Sequence, residues 1–247
     1  MKVAAIIPAY NEERGIADVL KAVTGASLPN EVIVVSDGSI DRTVEVAKTF
    51  PVNVIEQVPN QGKAAAMLKG VENTDAEILV FVDADLVGLT PELVDSLIRP
   101  IVEDRAEVTM GLFQDGKFST DLAQMIFPFL TGQRAMRRSV WEGAKVKKDS
   151  QYGVEIYLTK YMEKQNLRVE NVLLKGCTQL FKEQKGQAFE GFGRRLKMTF
   201  DIAKALFTST EEPKKTKKNK KHVTGKLKPA RISRIKKHST RTIGGTK

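Results

Sequence analysis

The 247-residue sequence has few of the residues that build disulfides and histidine-based sites. Its single cysteine, Cys177, excludes an internal disulfide and a cysteine-cluster zinc site, and we expect it to be ordinary core packing. Both histidines, His222 and His238, lie near the C-terminus. Residues 1–210 therefore contain no histidine for a catalytic triad or a metal site, which leaves acid-base chemistry and metal binding to carboxylates.

Long apolar runs are also absent. No stretch approaches the roughly 18 apolar residues of a membrane span. The first apolar run, residues 3–7, is short and is followed by Pro8 and charged residues, which is not typical of a signal peptide. We therefore expect a cytoplasmic protein that does not span a membrane.

The positive charge is concentrated in one segment. Residues 211–247 hold 14 of the 40 Lys and Arg but 2 of the 30 Asp and Glu, so their net charge is +12, and that of residues 1–210 is −2. Nucleic-acid-binding folds carry their basic surface on the folded domain, so residues 1–210 do not fit that class. The last 37 residues, with few large apolar side chains, predict a disordered basic tail suited to anionic lipid or RNA.

The remaining sequence alternates between strand and helix patterns. Continuous runs rich in Val and Ile predict buried parallel strands at residues 3–7, 32–35, 52–55 and 78–82, with further strands at 108–112 and 169–174. Helical patterns separate the first four, and Thr90 before Pro91 predicts the start of another helix that ends near Val102. This order predicts an α/β fold with a doubly wound, mostly parallel sheet in a single domain, residues 1–210. An amphipathic helix at 190–207 completes it, with an apolar face that either packs on the sheet or enters a lipid interface.

Polar residues follow each of the first four predicted strands. Ligands of open parallel sheets bind at the carboxyl ends of the strands, so we expect a ligand site at this edge. The ionisable residues delivered there are Glu12, Asp37, Asp41, Lys63, Asp83 and Asp85.

Asp83 and Asp85 flank Ala84 directly after the fourth strand. Two carboxylates aimed together repel unless a cation lies between them, and an oxygen-only ligand set favours Mg²⁺ or Mn²⁺. Such a metal usually completes its shell with substrate phosphates, so the pair predicts a diphosphate ligand. The alternative is a solvated turn.

Gly62 and Lys63 open a predicted helix, where backbone N–H groups and an ammonium could hold a phosphate. The alternative is an ordinary helix start. Asp37, before Gly38, is either a ligand contact or a turn and helix cap. Neither a P-loop nor a G-x-G-x-x-G motif is present, so dinucleotide redox chemistry has no support.

Four motifs taken together resemble the family 2 glycosyltransferases with the GT-A fold, which are Rossmann-like. They are IIPAYNEE (6–13), VIVVSDGSIDRT (32–43), NQGKAAAMLKG (60–70) and ILVFVDADL (78–86). The resemblance is specific to about residue 90, looser to 210 and absent from the tail. It implies a metal-dependent enzyme that takes a sugar from a nucleotide diphosphate, UDP more than GDP, with residues 1–112 as the nucleotide-sugar half and 113–210 as the acceptor half.

The resemblance also implies roles for single residues. The nucleotide-sugar-binding positions are Pro8, Ala9, Tyr10, Glu12, Asp37, Lys63, Asp83 and Ala84. Asp85 corresponds to the residue on the metal that bridges the diphosphate, and with Asp83 it would form the metal site. Relatives commonly place a histidine within residues 175–186 as a further metal ligand, and this sequence has Gln179 there.

Two segments of the second half resemble acceptor-side elements. TGQRAMRR (131–138) resembles an acceptor-side loop and contributes Gly132, Gln133 and Arg134. YGVEI (152–156) resembles a strand-to-helix segment in which Glu155 is the candidate catalytic carboxylate. The alternative for Glu155 is that it simply begins a helix.

The acceptor implied is lipid-linked or a small anion. Because relatives often work on lipid-linked acceptors, we expect the basic tail to contact an anionic membrane at its inner face rather than RNA. A different class stays open, which is a catalytically weak nucleotide-binding module tethered by its tail to anionic lipid or RNA.

Overall fold

The structure, a computed structural model, describes residues 1–114, 131–147 and 154–179. All of these lie within one compact unit of the chain, Met1–Ile202. The strands are β1 (Val3–Ala9), β2 (Glu31–Asp37), β3 (Asn53–Gln57), β4 (Ile78–Phe81), β5 (Leu86–Val87), β6 (Val108–Gln114), β7 (Arg134–Arg137), β8 (Val169–Lys175) and β9 (Thr178–Gln179). The helices are α1 (Ile16–Gly25), α2 (Thr43–Ala47), α3 (Lys63–Glu72), α4 (Pro91–Val102), α5 (Arg138–Ala144) and α6 (Val154–Gln165).

Seven strands form one mixed sheet in the order β3-β2-β1-β4-β7-β6-β8. The first four strands along the chain are parallel to one another, and β6 is parallel to β8. Only β7, among the described strands of this sheet, runs antiparallel to both neighbours. The doubly wound, mostly parallel α/β fold is therefore confirmed.

Helices cover both faces of the sheet, which explains why its central strands are apolar without alternation. One core joins the sheet to α1 and α4, and its side chains include Leu20 and Leu97. The opposite core joins the sheet to α3, α5 and α6 through residues such as Met67, Trp141 and Leu158. With both faces buried, the carboxyl edge of the parallel strands is where polar residues accumulate.

Helix α4 begins as its sequence predicts. The hydroxyl of Thr90 accepts a hydrogen bond from the Leu93 N–H at 3.4 Å, and Pro91 is the first helical residue. Proline is well suited to this position because its missing N–H would have no partner within the helix. The helix ends at Val102, again as predicted.

Strand β7 corrects the sequence interpretation of residues 131–138 as a loop. Residues 134–137 form a central strand, and Ala135 and Met136 are fully buried between β4 and β6. The three arginines around them, at positions 134, 137 and 138, obscure the apolar pattern that would indicate a buried strand. A short antiparallel pair, β5 with β9, was also not predicted.

The predicted helix at 190–207, the domain boundary at residue 210 and the basic tail lie outside the described residues and stay predictions. Within the part of the chain that the structure describes, no helix has the length and apolar character needed to cross a membrane.

Candidate active site

The loops that follow β1 and β2 are tied together at the carboxyl edge. The Asn11 N–H donates to the Ser39 hydroxyl at 3.1 Å, and the Asn11 side-chain oxygen accepts from the Ile40 N–H at 2.9 Å. The Glu12 N–H donates to the Thr43 hydroxyl at 2.8 Å. These bonds fix the backbone of the segment in which nucleotide-binding residues were predicted.

The predicted residues of that segment differ in exposure. Tyr10 is 46% exposed, Pro8 and Glu12 are half-buried, and Ala9 is buried. Asp41 acts structurally, because it accepts hydrogen bonds from the Glu13 N–H and from the backbone and hydroxyl of Thr43 at the start of α2. Tyr10 is therefore the member of the set with the most surface available to a planar ligand.

Asp37 is buried and holds the loop between β3 and α3. One carboxylate oxygen accepts from the Gln57 amide at 2.7 Å and from the Gln61 N–H at 2.8 Å. The other accepts from the Gly62 N–H at 2.7 Å. The Gly62 N–H, predicted to be available to a phosphate, thus donates to Asp37. The ligand role of Asp37 stays a prediction.

The ammonium of Lys63, the first residue of α3, joins two carboxylates from different parts of the chain. Its Nζ atom lies 2.7 Å from Asp83 Oδ1, after β4, and 3.5 Å from Glu155 Oε1, in the first turn of α6. Burial disfavours the charged form of Lys63, but the two carboxylates outweigh this effect and raise its pKa. We call Lys63, Asp83 and Glu155 the cation-bridged cluster. It brings residues predicted to bind the nucleotide sugar into contact with a residue predicted to act on the acceptor.

Asp83 has further partners on its other oxygen. The side-chain amide nitrogens of Gln133 and Gln179 lie 2.9 and 3.3 Å from Asp83 Oδ2. Burial acts to raise the pKa of Asp83, but Lys63, the Gln133 hydrogen bond and Arg134 outweigh it and lower the pKa. Asp83 is therefore held as a carboxylate, the form required of a cation ligand.

Arg134 adds a buried positive charge beneath the cluster. Its side chain is 1% exposed, and its guanidinium donates to the Thr131 carbonyl. Burial lowers the pKa of Arg134, while the negative charges of Glu155 and Asp83 oppose that effect. An arginine this buried has little surface to offer an acceptor, so the acceptor-side role predicted for it is not favoured by its position.

Gly132 is required by the close approach of its neighbours. A Cβ atom at this position would lie 2.8 Å from the Lys63 ammonium and would overlap Asp83 Oδ2. The predicted acceptor-side loop thus packs directly onto the cation-bridged cluster.

Gln179 is brought to the site by the β5–β9 pair, in which it is the register partner of Leu86, the residue after Asp85. Among the described residues, no group of three or more His, Cys, Asp or Glu is placed to hold a metal ion. Magnesium sites that use one or two carboxylates complete their shells with substrate phosphates and water. By donor type, the carboxylate oxygens of Asp83 and Asp85 and the amide oxygen of Gln179 are ligands that such a cation takes.

The sequence analysis did not identify two residues that hold site residues at this edge. Gln57 donates a hydrogen bond to Asp37, and the Thr131 hydroxyl accepts one from the Gln133 N–H. Gln57 ends β3, so its place at a strand end was the available signal. No sequence signal marked Thr131, because its role depends on the register of β7.

A mixed sheet of this strand order, with this cluster at the carboxyl end of β4, agrees with the glycosyltransferase resemblance of the sequence. The chain belongs to glycosyl transferase family 2, whose family model matches residues 4–147.

Curated relatives match part of the chain. It is 33% identical over 117 residues to dolichol-phosphate mannosyltransferase of Pyrococcus furiosus, and the matched segment covers 45% of this chain and 33% of that relative. It is 37% identical over 99 residues to 4,4'-diaponeurosporenoate glycosyltransferase of Staphylococcus aureus, and the matched segment covers 38% of this chain and 26% of that relative. The matched segments thus span about a third or less of these relatives.

Solved structures share the fold over most of the chain. Glucosyl-3-phosphoglycerate synthase from Mycobacterium tuberculosis with Mn²⁺, UDP and phosphoglyceric acid has a TM-score of 0.65 and 22% identity, covering 87% of this chain and 80% of that chain. The complex with Mg²⁺ and UDP has a TM-score of 0.60 and 24% identity, covering 72% and 71%. At these identities the likeness establishes the fold.

Proposed function

We propose that this glycosyltransferase moves a sugar from a UDP-sugar to a lipid-linked or small anionic acceptor, with Mg²⁺ or Mn²⁺ bound. The observation that carries the proposal is the cation-bridged cluster, which joins Asp83 to Glu155 through Lys63 at the carboxyl end of β4. The structural neighbours support the donor and the metal, because they hold UDP with Mn²⁺ or Mg²⁺.

Asp83 and Asp85 would hold the metal, with Gln179 as a further oxygen ligand. When bound, the metal would supply positive charge that stabilises the leaving diphosphate. Lys63 adds a second positive charge beside Asp83 and keeps that carboxylate ionised. Gly132 leaves the space in which these groups meet.

The transfer replaces one bond to the anomeric carbon by another. An acceptor oxygen forms the new glycosidic bond, and the bond from the anomeric carbon to the diphosphate oxygen breaks, with its electron pair going to UDP. A phosphate or carboxylate acceptor is already a nucleophile and needs no base. For a hydroxyl acceptor, Glu155 orients the oxygen and takes its proton, because Glu155 is the carboxylate of the cluster that comes from the acceptor half.

The acceptor class is supported by the names of similar proteins. One relative is named for dolichol phosphate and another for diaponeurosporenoate, and the structural neighbours include complexes with phosphoglyceric acid. These acceptors share an anionic group, a phosphate or a carboxylate.

A screen of nucleotide sugars with the purified full chain tests the proposal. We expect release of UDP from a UDP-sugar in the presence of Mn²⁺, its loss on addition of EDTA, and an increase when a phosphorylated polyprenol or a small phosphorylated acid is added. Metal-dependent UDP binding without turnover of any sugar nucleotide would contradict the enzyme and support the binding module instead.

A further inference from the structure

Gln133 makes a two-point contact with Asp83. Its side-chain oxygen accepts a hydrogen bond from the Asp83 backbone N–H at 2.9 Å, and its side-chain nitrogen donates to Asp83 Oδ2 at 2.9 Å. Gln133 is 1% exposed, so these bonds form away from water. One side chain thus fixes both the backbone and the carboxylate of the same residue.

The contact requires an amide of this length. A backbone N–H can only donate and an ionised carboxylate can only accept, so the oxygen of Gln133 must face the first and its nitrogen the second. A glutamate would place a second carboxylate against Asp83, and an apolar side chain would leave a buried N–H without a partner, which is costly. The orientation of the amide follows from its neighbours.

Gln133 is itself held by strand β6 and by the residue that precedes Gly132. Its backbone N–H donates to the Thr131 hydroxyl at 3.2 Å, and that hydroxyl donates to the Gly111 carbonyl at 2.7 Å. The Gly111 N–H in turn donates to the Gln133 carbonyl at 2.8 Å. A Cβ at position 111 would lie 3.0 Å from the Gln133 Cβ, so glycine leaves room for this packing.

We propose that Gln133 is a positioning residue that sets the orientation of the Asp83 carboxylate for the diphosphate and metal of the donor. The inference rests on the proposed function and gives Gln133 a donor-side role in place of the acceptor-side role predicted from the sequence. With Oδ2 held by Gln133 and Oδ1 by Lys63, the carboxylate is fixed from two sides before the donor arrives. Such preorganisation by residues behind a metal ligand typically changes metal affinity by about 10- to 100-fold.

The test compares Gln133→Met with Thr109→Val in the full chain. The first removes both contacts to Asp83 with little change in side-chain length. The second is a matched control beside β7, because the Thr109 hydroxyl donates to the Leu97 carbonyl and accepts from the Ala135 N–H without contacting Asp83. Two readouts need no turnover: UDP binding in Mn²⁺ by calorimetry, and hydrogen exchange of the Asp83 amide in the free protein by NMR.

We expect Gln133→Met to lose the exchange protection of the Asp83 amide and to weaken Mn²⁺-dependent UDP binding by about tenfold or more. Thr109→Val should keep wild-type values of both at a temperature where each variant is folded. Where Gln133→Met does not fold, Gln133→Asn keeps the buried amide but shortens its reach by one methylene, and the same weakening is expected.

Two results would overturn the inference while leaving the proposed function intact. The first is unchanged UDP binding in a folded Gln133 variant whose Asp83 amide exchanges faster than in the wild type. The second is an unchanged exchange rate of the Asp83 amide in a folded Gln133 variant. If the wild-type chain itself binds no UDP in Mn²⁺, the proposed function fails and the donor-side role of Gln133 fails with it.

Discussion

The two edges of the sheet carry their charges in different ways. At the carboxyl edge, the side chains of Lys63, Asp83 and Glu155 are 42%, 15% and 20% exposed and contact one another. At the amino edge, Lys2 pairs with Asp75, whose side chain is 83% exposed. Arg137 and Arg168 both pair with Asp104, whose side chain is 68% exposed.

The charges at the carboxyl edge are partly buried and contact one another, whereas those at the amino edge are exposed to water. Exposed ion pairs contribute little to stability, because water and salt screen them. Partly buried charges carry a desolvation cost that their partners must offset, and they are concentrated at functional sites. The same types of residue should therefore respond very differently to substitution at the two edges.

The largest effect is expected for Lys63→Met compared with Lys2→Met. The first variant removes the cation between Asp83 and Glu155, so UDP-sugar turnover should fall by about 100- to 1,000-fold. Lys2→Met removes contacts to Asp75 and Glu31 at the opposite edge and should leave turnover unchanged. Steady-state kinetics of both variants would measure this, and equal losses would contradict the distinction between the edges.

A smaller effect on turnover is expected for Gly132→Ala. The added methyl group would push against Asp83 and the Lys63 ammonium, and turnover should fall by about tenfold, less than the roughly 100-fold cost of a full 1 Å misplacement. Gly70→Ala is the matched control, because its methyl group collides with Ile6 in the core. It should cost about 1–3 kcal/mol in the free energy of unfolding and leave the kinetics of the folded enzyme intact.

The smallest effect on turnover is expected for Asp95→Asn, which tests a structural carboxylate. Asp95, in α4, accepts hydrogen bonds from the N–H groups of Ser27 and Leu28 in the loop before β2. Burial acts to raise the pKa of Asp95, but the hydrogen bonds from Ser27 and Leu28 outweigh it and lower the pKa. The variant should keep wild-type turnover and lose about 2 kcal/mol of stability at neutral pH.

The pH dependence of that loss follows from the lowered pKa. In the unfolded chain the Asp95 carboxyl has a pKa of about 3.9. Between that pH and the lower pKa of the folded protein, the unfolded state binds more protons than the folded state. The stabilisation by Asp95 is present above pH 3.9 and is lost as the pH falls through the folded pKa. Urea unfolding of both proteins should therefore show a difference that shrinks below about pH 4, and a constant difference would contradict the ionic role of Asp95.

The sequence predicted the first half of the molecule better than the second. Strands β1 to β4 follow from runs of Val and Ile, and α4 follows from Thr90 and Pro91, because each of these signals is local. The carboxyl-edge position of Asp83 followed from the same runs. Strand β7 was missed because it is short and rich in arginine, and its burial depends on pairing with β4 and β6.

The site was predicted as a set of residues but not as a network. Nothing local in the sequence indicates that Lys63 reaches Glu155, 92 residues away, or that Gln133 faces Asp83. Asp37 was identified as important, yet its partners in the loop before α3 depend on how that loop folds back onto β2. Such long-range pairings become visible only when the strand register is known.

The most direct test of the central claim is calorimetric titration of UDP into the wild-type chain and Asp85→Asn, each with Mn²⁺ and with EDTA. Asp75→Asn, the same substitution at the amino edge, is the matched control. We predict that the wild type and the control bind UDP in a manner that depends on Mn²⁺, and that Asp85→Asn loses this binding. UDP binding by Asp85→Asn as tight as that of the wild type in Mn²⁺, with no effect of EDTA, would contradict a metal-dependent donor site at the end of β4.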